Sequence, residues 1–560
     1  LTGSLPSAGA TGAGETGADL VLTGGRVFTA DPARSWAEAL AVRDGRIVAV
    51  GADAAVMRLA GRSTRVIRLR GRTVTPGFQD AHVHPSHGGL ARMRCELHGV
   101  EGRQPCLDAV AAYAAAHPGT AWILGGGWSM TDFPGGLPRR EDLDRIVPDR
   151  PVYLPNRDVH GAWVNSRALE LAGITGATSD PSDGRIERDS DGAPTGILHE
   201  GAMNLVGRLL PPTEPGELQA ALLGAQRYLH SLGITAWQDA WVTADEEAAY
   251  VALARAGRLT ARVVGAMWWQ RDRGLEQIDD LVERRAANAI GRYAPTSVKL
   301  MVDGVVENRW AAMLEPYRDR DGHETADVGH TFIPADLLAE AVTRLDALGF
   351  QPHFHALGDR AVRIALDAVE AARRANGWSD TRPHLAHLQV VHPDDLPRFR
   401  RLGALANAQT LWALHEPQMD ELTLPILGAR VAARQYPLRS LRAHGATLAM
   451  GSDWPVSTPD PFRQMSVAVT RRGAAQRDDV PPFMPHEAIE LVDALGAFTA
   501  GSAHANHLDD TGTLAPGMLA DLAVLDRDLF DAAAGPIAGS RVVATFIAGE
   551  VVHETSDLGG

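Results

Sequence analysis

Two histidines one residue apart, His82 and His84, close the stretch Val74-Thr75-Pro76-Gly77-Phe78-Gln79-Asp80-Ala81-His82-Val83-His84. A short apolar run stops at a Pro-Gly turn and resumes as a strand-like segment, and alternation along a strand turns both imidazoles to one side. Neutral imidazole is the commonest metal donor, and two at this spacing occupy adjacent corners of one coordination sphere. The competing reading, a pair of surface loop histidines, leaves the donors farther along the chain unexplained.

The second chemical signal is compositional. Lys and Arg number 54 together, and Lys299 is the single lysine. Either residue supplies a solvated positive charge, but only an amine becomes neutral and nucleophilic near neutral pH. A lone lysine is therefore a candidate for chemistry closed to a guanidinium. Further donors stand in Gln351-Pro352-His353-Phe354-His355-Ala356, in His384-Leu385-Ala386-His387-Leu388 and in Gly451-Ser452-Asp453-Trp454-Pro455.

Short apolar strands alternating with helical stretches must position these groups, a rhythm that indicates parallel β/α units. Strands are expected at 233–240, 262–267, 297–304, 351–356, 384–388, 404–409 and 446–453, after the one that carries His82. The candidate donors fall at strand ends, and β/α barrels build their sites at the C-terminal ends of strands. Both chain ends read as β-hairpins: Leu20 to Thr29, Ala39 to Gly51 with Asp44-Gly45 at its turn, then Gly512 to Asp526 and Val542 to Val552. Between about residues 95 and 210 the spacing is irregular and rich in Gly, Pro, Asp and Trp.

Pro-Gly-Phe-x-Asp-x-His-x-His resembles the first barrel-strand signature of the amidohydrolase superfamily. Its surroundings resemble the branch that contains N-substituted formamide deformylase, from about Ala18 to Val552. The resemblance implies an α/β fold: a (β/α)8 TIM barrel at 76–499 with an insertion after strand 1 at about 95–210. A small β-sandwich is built from both termini, 19–75 and 500–553, and residues 1–18 read as a flexible tail. It also implies a site in which His82, His84 and Asp453 hold one ion and His355 and His387 a second. Lys299, carboxylated by carbon dioxide to an anionic carbamate, bridges the two. Zinc is the default metal for this donor mix, with other divalent transition metals open.

His355 is chosen because Ala356-Leu357-Gly358-Asp359-Arg360 follows it, matching the family's His-Ala-x-Gly-Asp-Arg phrase. His387 matches the position of Glu-His-Ala-Gln, with Ala386 and Leu388 replacing two of its residues. From the residues alone His353 and His384 stay open, since a two-residue shift keeps the same strand face. A water shared by two ions becomes a nucleophile near neutral pH. Asp453 then serves as base and acid, and His160 or His353 donates to the developing oxyanion. His160 stands in Asp158-Val159-His160, where the branch usually has Asp-Gly-His.

Trp128, Trp163, Trp310, Trp412 and Trp454, with Gln409, are expected to line a wide apolar pocket. Asn308-Arg309-Trp310-Ala311 and Gln409-Thr410-Leu411-Trp412 depart from the family's Ser-Arg-Thr-Ala and Gln-Pro, so the formamide substrate is not carried over. The expected reaction is hydrolysis of a carbon-nitrogen bond in a hydrophobic or aromatic N-substituted amide. Alternatives are hydrolytic deamination of a heterocycle, whose enzymes usually lack the lysine bridge, and metal-dependent isomerisation or lyase chemistry.

A formal charge of −15 argues against nucleic acid as a partner, and no apolar run is long enough to span a membrane. Two isolated cysteines, Cys95 and Cys106, fit a reducing cytoplasm. A small-molecule substrate is the expected partner, and the acidic surface suits a homodimer.

Overall fold

The computed structural model describes residues 17–558 apart from positions 320, 475 and 478. Residues 1–16, nearly all of the expected tail, lie outside the described residues. Eight strands form one parallel sheet in sequence order: Phe78–Val83, Ile234–Val242, Arg262–Trp268, Tyr293–Met301, Gln351–Ala356, His384–His387, Leu405–Ala408 and Thr447–Met450. They are barrel strands 1 to 8. Strand 4 begins at Tyr293 rather than at Ser297, and strand 8 stops before Asp453. Strands 8 and 1 are tied at the mouth, where the Asp453 N–H donates to the His82 carbonyl at 2.7 Å and the His84 N–H to the Trp454 carbonyl at 2.9 Å. The barrel expected from sequence is present.

Helices cover the outside of the barrel because their apolar residues recur at helical period. Asp359–Asn376, for example, buries Ala361, Val362, Ala365, Leu366, Ala368, Val369 and Ala372 against it. The inside is less usual, for a barrel interior is ordinarily filled with branched apolar side chains. Here Gln238 donates to Gln351 Oε1 at 2.9 Å, His384 Nε2 meets Gln238 Oε1 at 2.8 Å, and Asn407 Nδ2 reaches His384 Nδ1 at 3.1 Å. Gln351 closes the network on the carbonyls of Arg382 and Ala505. A buried polar layer of this kind is stable only when its members find partners.

Two sheets combine the chain ends. One contains Arg46–Gly51, Ala39–Arg43, Ala18–Thr23 and Ala60–Arg68; the other contains Glu550–Glu554, Val542–Ile547, Leu522–Leu525, Thr73–Pro76, Arg26–Phe28 and Trp36–Ala37. Their shared core includes Leu20, Leu40, Val42, Val74, Leu522 and Phe546. Asp44 and Gly45 turn the Ala39 to Gly51 hairpin with φ of 49° and 73°, the positive values a two-residue hairpin demands. The first expected hairpin is not one: Ala18–Thr23 and Arg26–Phe28 join different sheets. Gly25 makes that crossover, since a Cβ there would lie 2.5 Å from Leu69.

The stretch after strand 1 is more regular than its composition suggests. It forms a six-stranded sheet of Gly184–Arg188, Pro194–Glu200, Gly161–Val164, Val152–Pro155, Ile123–Gly126 and Cys95–Glu96. Its own core is built on Trp128, Phe133, Leu143 and Trp163. Among the described residues no helix is long and apolar enough to cross a membrane.

Candidate metal centre

His82 and His84 end strand 1, and Asp80 holds that end in place. Its Oδ1 accepts the N–H of His82 at 3.1 Å and of Ser452 at 3.0 Å, joining strand 1 to the turn after strand 8. Gly451 permits the approach, because a Cβ there would sit 2.5 Å from His82 Cβ. Asp453 follows with φ of 55°, a left-handed conformation that an L-residue keeps only when its surroundings enforce it. Its Oδ1 then lies 3.2 Å from His82 Nε2 and 2.9 Å from His84 Nε2. These three buried residues offer donor atoms all within 4.8 Å of one another.

The remaining donors lie beside this trio. His387, also left-handed at φ of 80°, gives its N–H to Gln409 Oε1 at 2.6 Å and places Nδ1 3.9 Å from Asp453 Oδ2. The His355 and His387 rings are 4.4 Å apart. Lys299 Nζ is 3.4 Å from His82 Nε2. Strands 1, 4, 5 and 6 and the turn after strand 8 thus bring His82, His84, Lys299, His355, His387 and Asp453 to one floor.

Burial sets the electrostatics. It pulls the Lys299 amine down to about 7, against the opposing pull of Asp453 and Asp239. Burial followed by Lys299 lowers His82 to about 3, and burial then neighbouring imidazoles hold His355 well below the usual histidine range. Burial alone would raise the Asp453 carboxyl, but His82, His84 and His387 outweigh it and keep it well below its usual value. Neutral imidazoles, an ionised carboxylate and an amine that loses its proton near neutrality are a donor set that accepts cations. Its unmet capacity is visible atom by atom: both ring nitrogens of His387, Nδ1 of His355 and Nδ1 of His84 are buried without a hydrogen-bond partner. Such orphans are rare in folded proteins, and those of His355 and His387 fit a metal ion, whereas His84 faces the trio through Nε2.

A cavity of about 420 Å³ stands over this floor. The inserted sheet supplies one wall through Tyr153, His160 and Glu200; the ends of strands 2 and 3 supply another through Trp241, Trp268 and Arg271. His160 Nδ1 meets Glu200 Oε1 at 2.7 Å. Burial would lower this histidine, but Glu200 and then Asp158 raise it to about 9.

Several expected residues are elsewhere. Trp128 and Trp163 do not face the cavity, because they fill the core of the inserted sheet, with their indole N–H groups donating to the Leu154 and Arg139 carbonyls. Trp310 is stacked on Phe332, 5.8 Å away. Trp454 covers Gly88 and packs on Tyr228. Gln409 and Trp412 act from behind, the first holding the His387 backbone and the second stacked on its ring at 5.5 Å. None of these six lines the cavity. His353 is also no oxyanion donor: it is fully buried and its Nε2 is engaged with His82 Nδ1 at 2.9 Å.

Sequence reasoning missed Glu200, Asp303, Trp241 and Arg271. Asp303, pushed up to about 7 by burial, accepts the N–H groups of Leu357, Gly358 and Ala312 and so fixes the loop after strand 5. Its place after the strand 4 lysine, like that of Trp241 at the end of strand 2, was the available signal. Glu200 gave none, since its pairing with His160 joins residues 40 apart.

The model of the amidohydrolase family matches residues 65–553. Protein LONG AFTER FAR-RED 3 of Arabidopsis thaliana is 31% identical across 96% of this chain and 92% of its own. N-substituted formamide deformylase of Arthrobacter pascens is 29% identical across 96% of this chain and 98% of its own. The crystal structure of an uncharacterized metal-dependent hydrolase from Pyrococcus furiosus superposes with a TM-score of 0.70 at 27% identity, covering 91% of this chain and all of that one. Over nearly its whole length, then, the chain belongs to the amidohydrolase family, as a metal-dependent hydrolase of carbon-nitrogen bonds other than peptide bonds.

Proposed function

We propose that this chain hydrolyses a hydrophobic or aromatic N-substituted amide at a centre of two divalent ions, zinc by preference. His82, His84 and Asp453 would hold one ion, His355 and His387 the other, and the carbamate of Lys299 would bridge them. Six buried donors converging from five places around the barrel, several of them without partners, carry this reading. The near-neutral amine of Lys299 supports carboxylation, in which its nitrogen adds to carbon dioxide and one proton leaves. Imidazole and carboxylate donors favour zinc. When bound, the ions supply Lewis acidity toward a carbonyl and ease the deprotonation of water.

The chain's own groups do the rest. Asp453 takes a proton from the attacking water and returns it to the departing nitrogen, which needs a carboxylate that is ionised at rest, as this one is. His160, oriented through Nδ1 by Glu200, presents its other ring nitrogen to the cavity and donates to the developing oxyanion. Trp241 and Trp268, stacked at 4.3 Å, give an apolar substituent a flat surface. A relative named N-substituted formamide deformylase supports an amide as the substrate class. Cys95 and Cys106 are both buried and unlinked, which supports the expectation of a reducing compartment.

Elemental analysis of the purified protein and of Lys299→Arg tests the centre. Two ions per chain should fall to one or none in the variant. One ion in both proteins would remove the bridging role and favour deamination of a heterocycle.

A further inference from the structure

Two arginines reach the cavity, and their circumstances differ. Arg94 is committed: Nε and Nη2 donate to Glu217 at 3.1 and 2.9 Å, and Nη2 also to Thr213 at 3.0 Å. Arg271, on the loop after strand 3, is not. Its Nη1 is buried without a hydrogen-bond partner. The nearest carboxylate, Asp183, stands 4.0 Å away and is 40% exposed, whereas the Arg271 side chain is 19% exposed. The guanidinium lies 4.1 Å over the Phe332 ring. This contact is with the ring of Phe332 and supplies no acceptor to the guanidinium N–H groups. A cation largely withdrawn from water with unfilled donors is costly unless something completes it; Nη1 is closed off toward Asp183, so a ligand can reach only the part of the side chain that lines the cavity.

The groups beside it indicate what that is. From the metal floor outward, the His84 and Trp241 rings are 6.3 Å apart and Trp241 stacks on Trp268 at 4.3 Å; Trp268 ends strand 3, and Arg271 stands in the loop that follows it. The cavity lining therefore combines a reaction centre, an aromatic shelf and a planar guanidinium. A guanidinium matches a carboxylate in two parallel hydrogen bonds. Of the other ionisable side chains lining the cavity, His98 pairs with Glu96 and His160 with Glu200, while Asp158 accepts the His160 N–H.

We propose that Arg271 receives a carboxylate of the substrate, so that the substrate class is an amide carrying both an aromatic or apolar segment and an anionic group. This rests on the amide-hydrolase reading above. The competing role is a strut, in which Arg271 ties the inserted sheet to the barrel through Asp183.

The test uses the full-length, metal-loaded enzyme, with Arg271→Gln and Asp183→Asn beside the parent. The first readout is hydrolysis of a matched pair of aryl-containing amides, one ending in a carboxylate and the other in a primary carboxamide. For the carboxylate substrate, Arg271→Gln should raise KM roughly 10- to 100-fold, the worth of a charge-assisted pair, and keep kcat. The neutral analogue should change by no more than about twofold, and Asp183→Asn should leave the preference intact. The second readout needs no turnover: 4-phenylbutyrate should raise the Tm of the parent more than 4-phenylbutyramide does, and the difference should vanish in Arg271→Gln. If neither amide is cleaved but the parent distinguishes the two ligands and Arg271→Gln does not, the hydrolase reading falls and the anion site stands; a ligand difference retained in Arg271→Gln overturns the proposal. If both ligands behave alike on the parent, or if the two variants lower Tm and activity equally for both substrates, Arg271 is a strut and the proposal is overturned.

Discussion

The floor and the wall of the cavity are built by different means. The floor residues His82, His84, Lys299, His355, His387 and Asp453 come from strand ends of one barrel, all nine-tenths or more buried. The wall is assembled from an inserted sheet and two loops, and Arg271 on it is partly exposed. Strand geometry dictates where a floor residue points, whereas packing between units dictates what the wall presents. Damage to the floor should therefore abolish chemistry, and changes to the wall should redirect binding.

The largest effect belongs to Asp453. Asp453→Asn keeps the volume but removes the proton acceptor and one anionic donor, so kcat should fall roughly 10³-fold or more. Steady-state kinetics on any amide the parent cleaves measures this. A loss confined to KM would break the division between floor and wall.

A smaller effect tests whether the layer beneath the floor matters. His353 fixes the His82 ring through a 2.9 Å contact and is itself packed against His384 at 4.0 Å between ring centres. Such supporting groups orient a metal-binding imidazole and set its tautomer. His353→Ala should weaken metal retention roughly 10- to 100-fold in competition with a chelator. Retention equal to the parent's would reduce His353 to filling space.

These two regions were not equally readable from sequence. His82, His84 and Lys299 stood out because strand alternation and the scarcity of lysine are one-dimensional signals. The choice of His355 over His353 needed the resemblance, since both share one strand face, and the structure separates them by depth. The tryptophans misled because indole is used equally for cores and for pockets. Trp128 and Trp163 close a sheet that composition alone made look irregular, and Trp241 was overlooked although it ends a barrel strand. The sandwich crossover at Gly24 and Gly25 was read as a hairpin, since a glycine pair permits either path. The pairing of His160 with Glu200 arises only when strands of the insertion pair with each other, and the loose contact of Arg271 with Asp183 only when the insertion folds against the barrel. No local pattern announces them.

The smallest effect sharpens the comparison from the wall side. Val159 holds φ of 63° in the turn that delivers His160, where the Asp158 side chain caps the His160 N–H at 3.1 Å. A β-branched residue is a poor occupant of that region, at a cost of roughly 1–2 kcal/mol. Glycine adopts it freely but gives the unfolded chain more freedom, an opposing term of roughly 0.5–1 kcal/mol. Val159 is only half-buried on the cavity rim, so little apolar packing is lost with it. The balance favours Val159→Gly by about 0.5–1 kcal/mol, a small rise in thermal midpoint. Metal content should stay that of the parent, because no floor residue is touched, while KM for bulky amides should shift as the rim opens. A fall in midpoint would mean that the Val159 side chain is itself a packed part of the wall, and that the insertion holds its strained turn for contact rather than for aim.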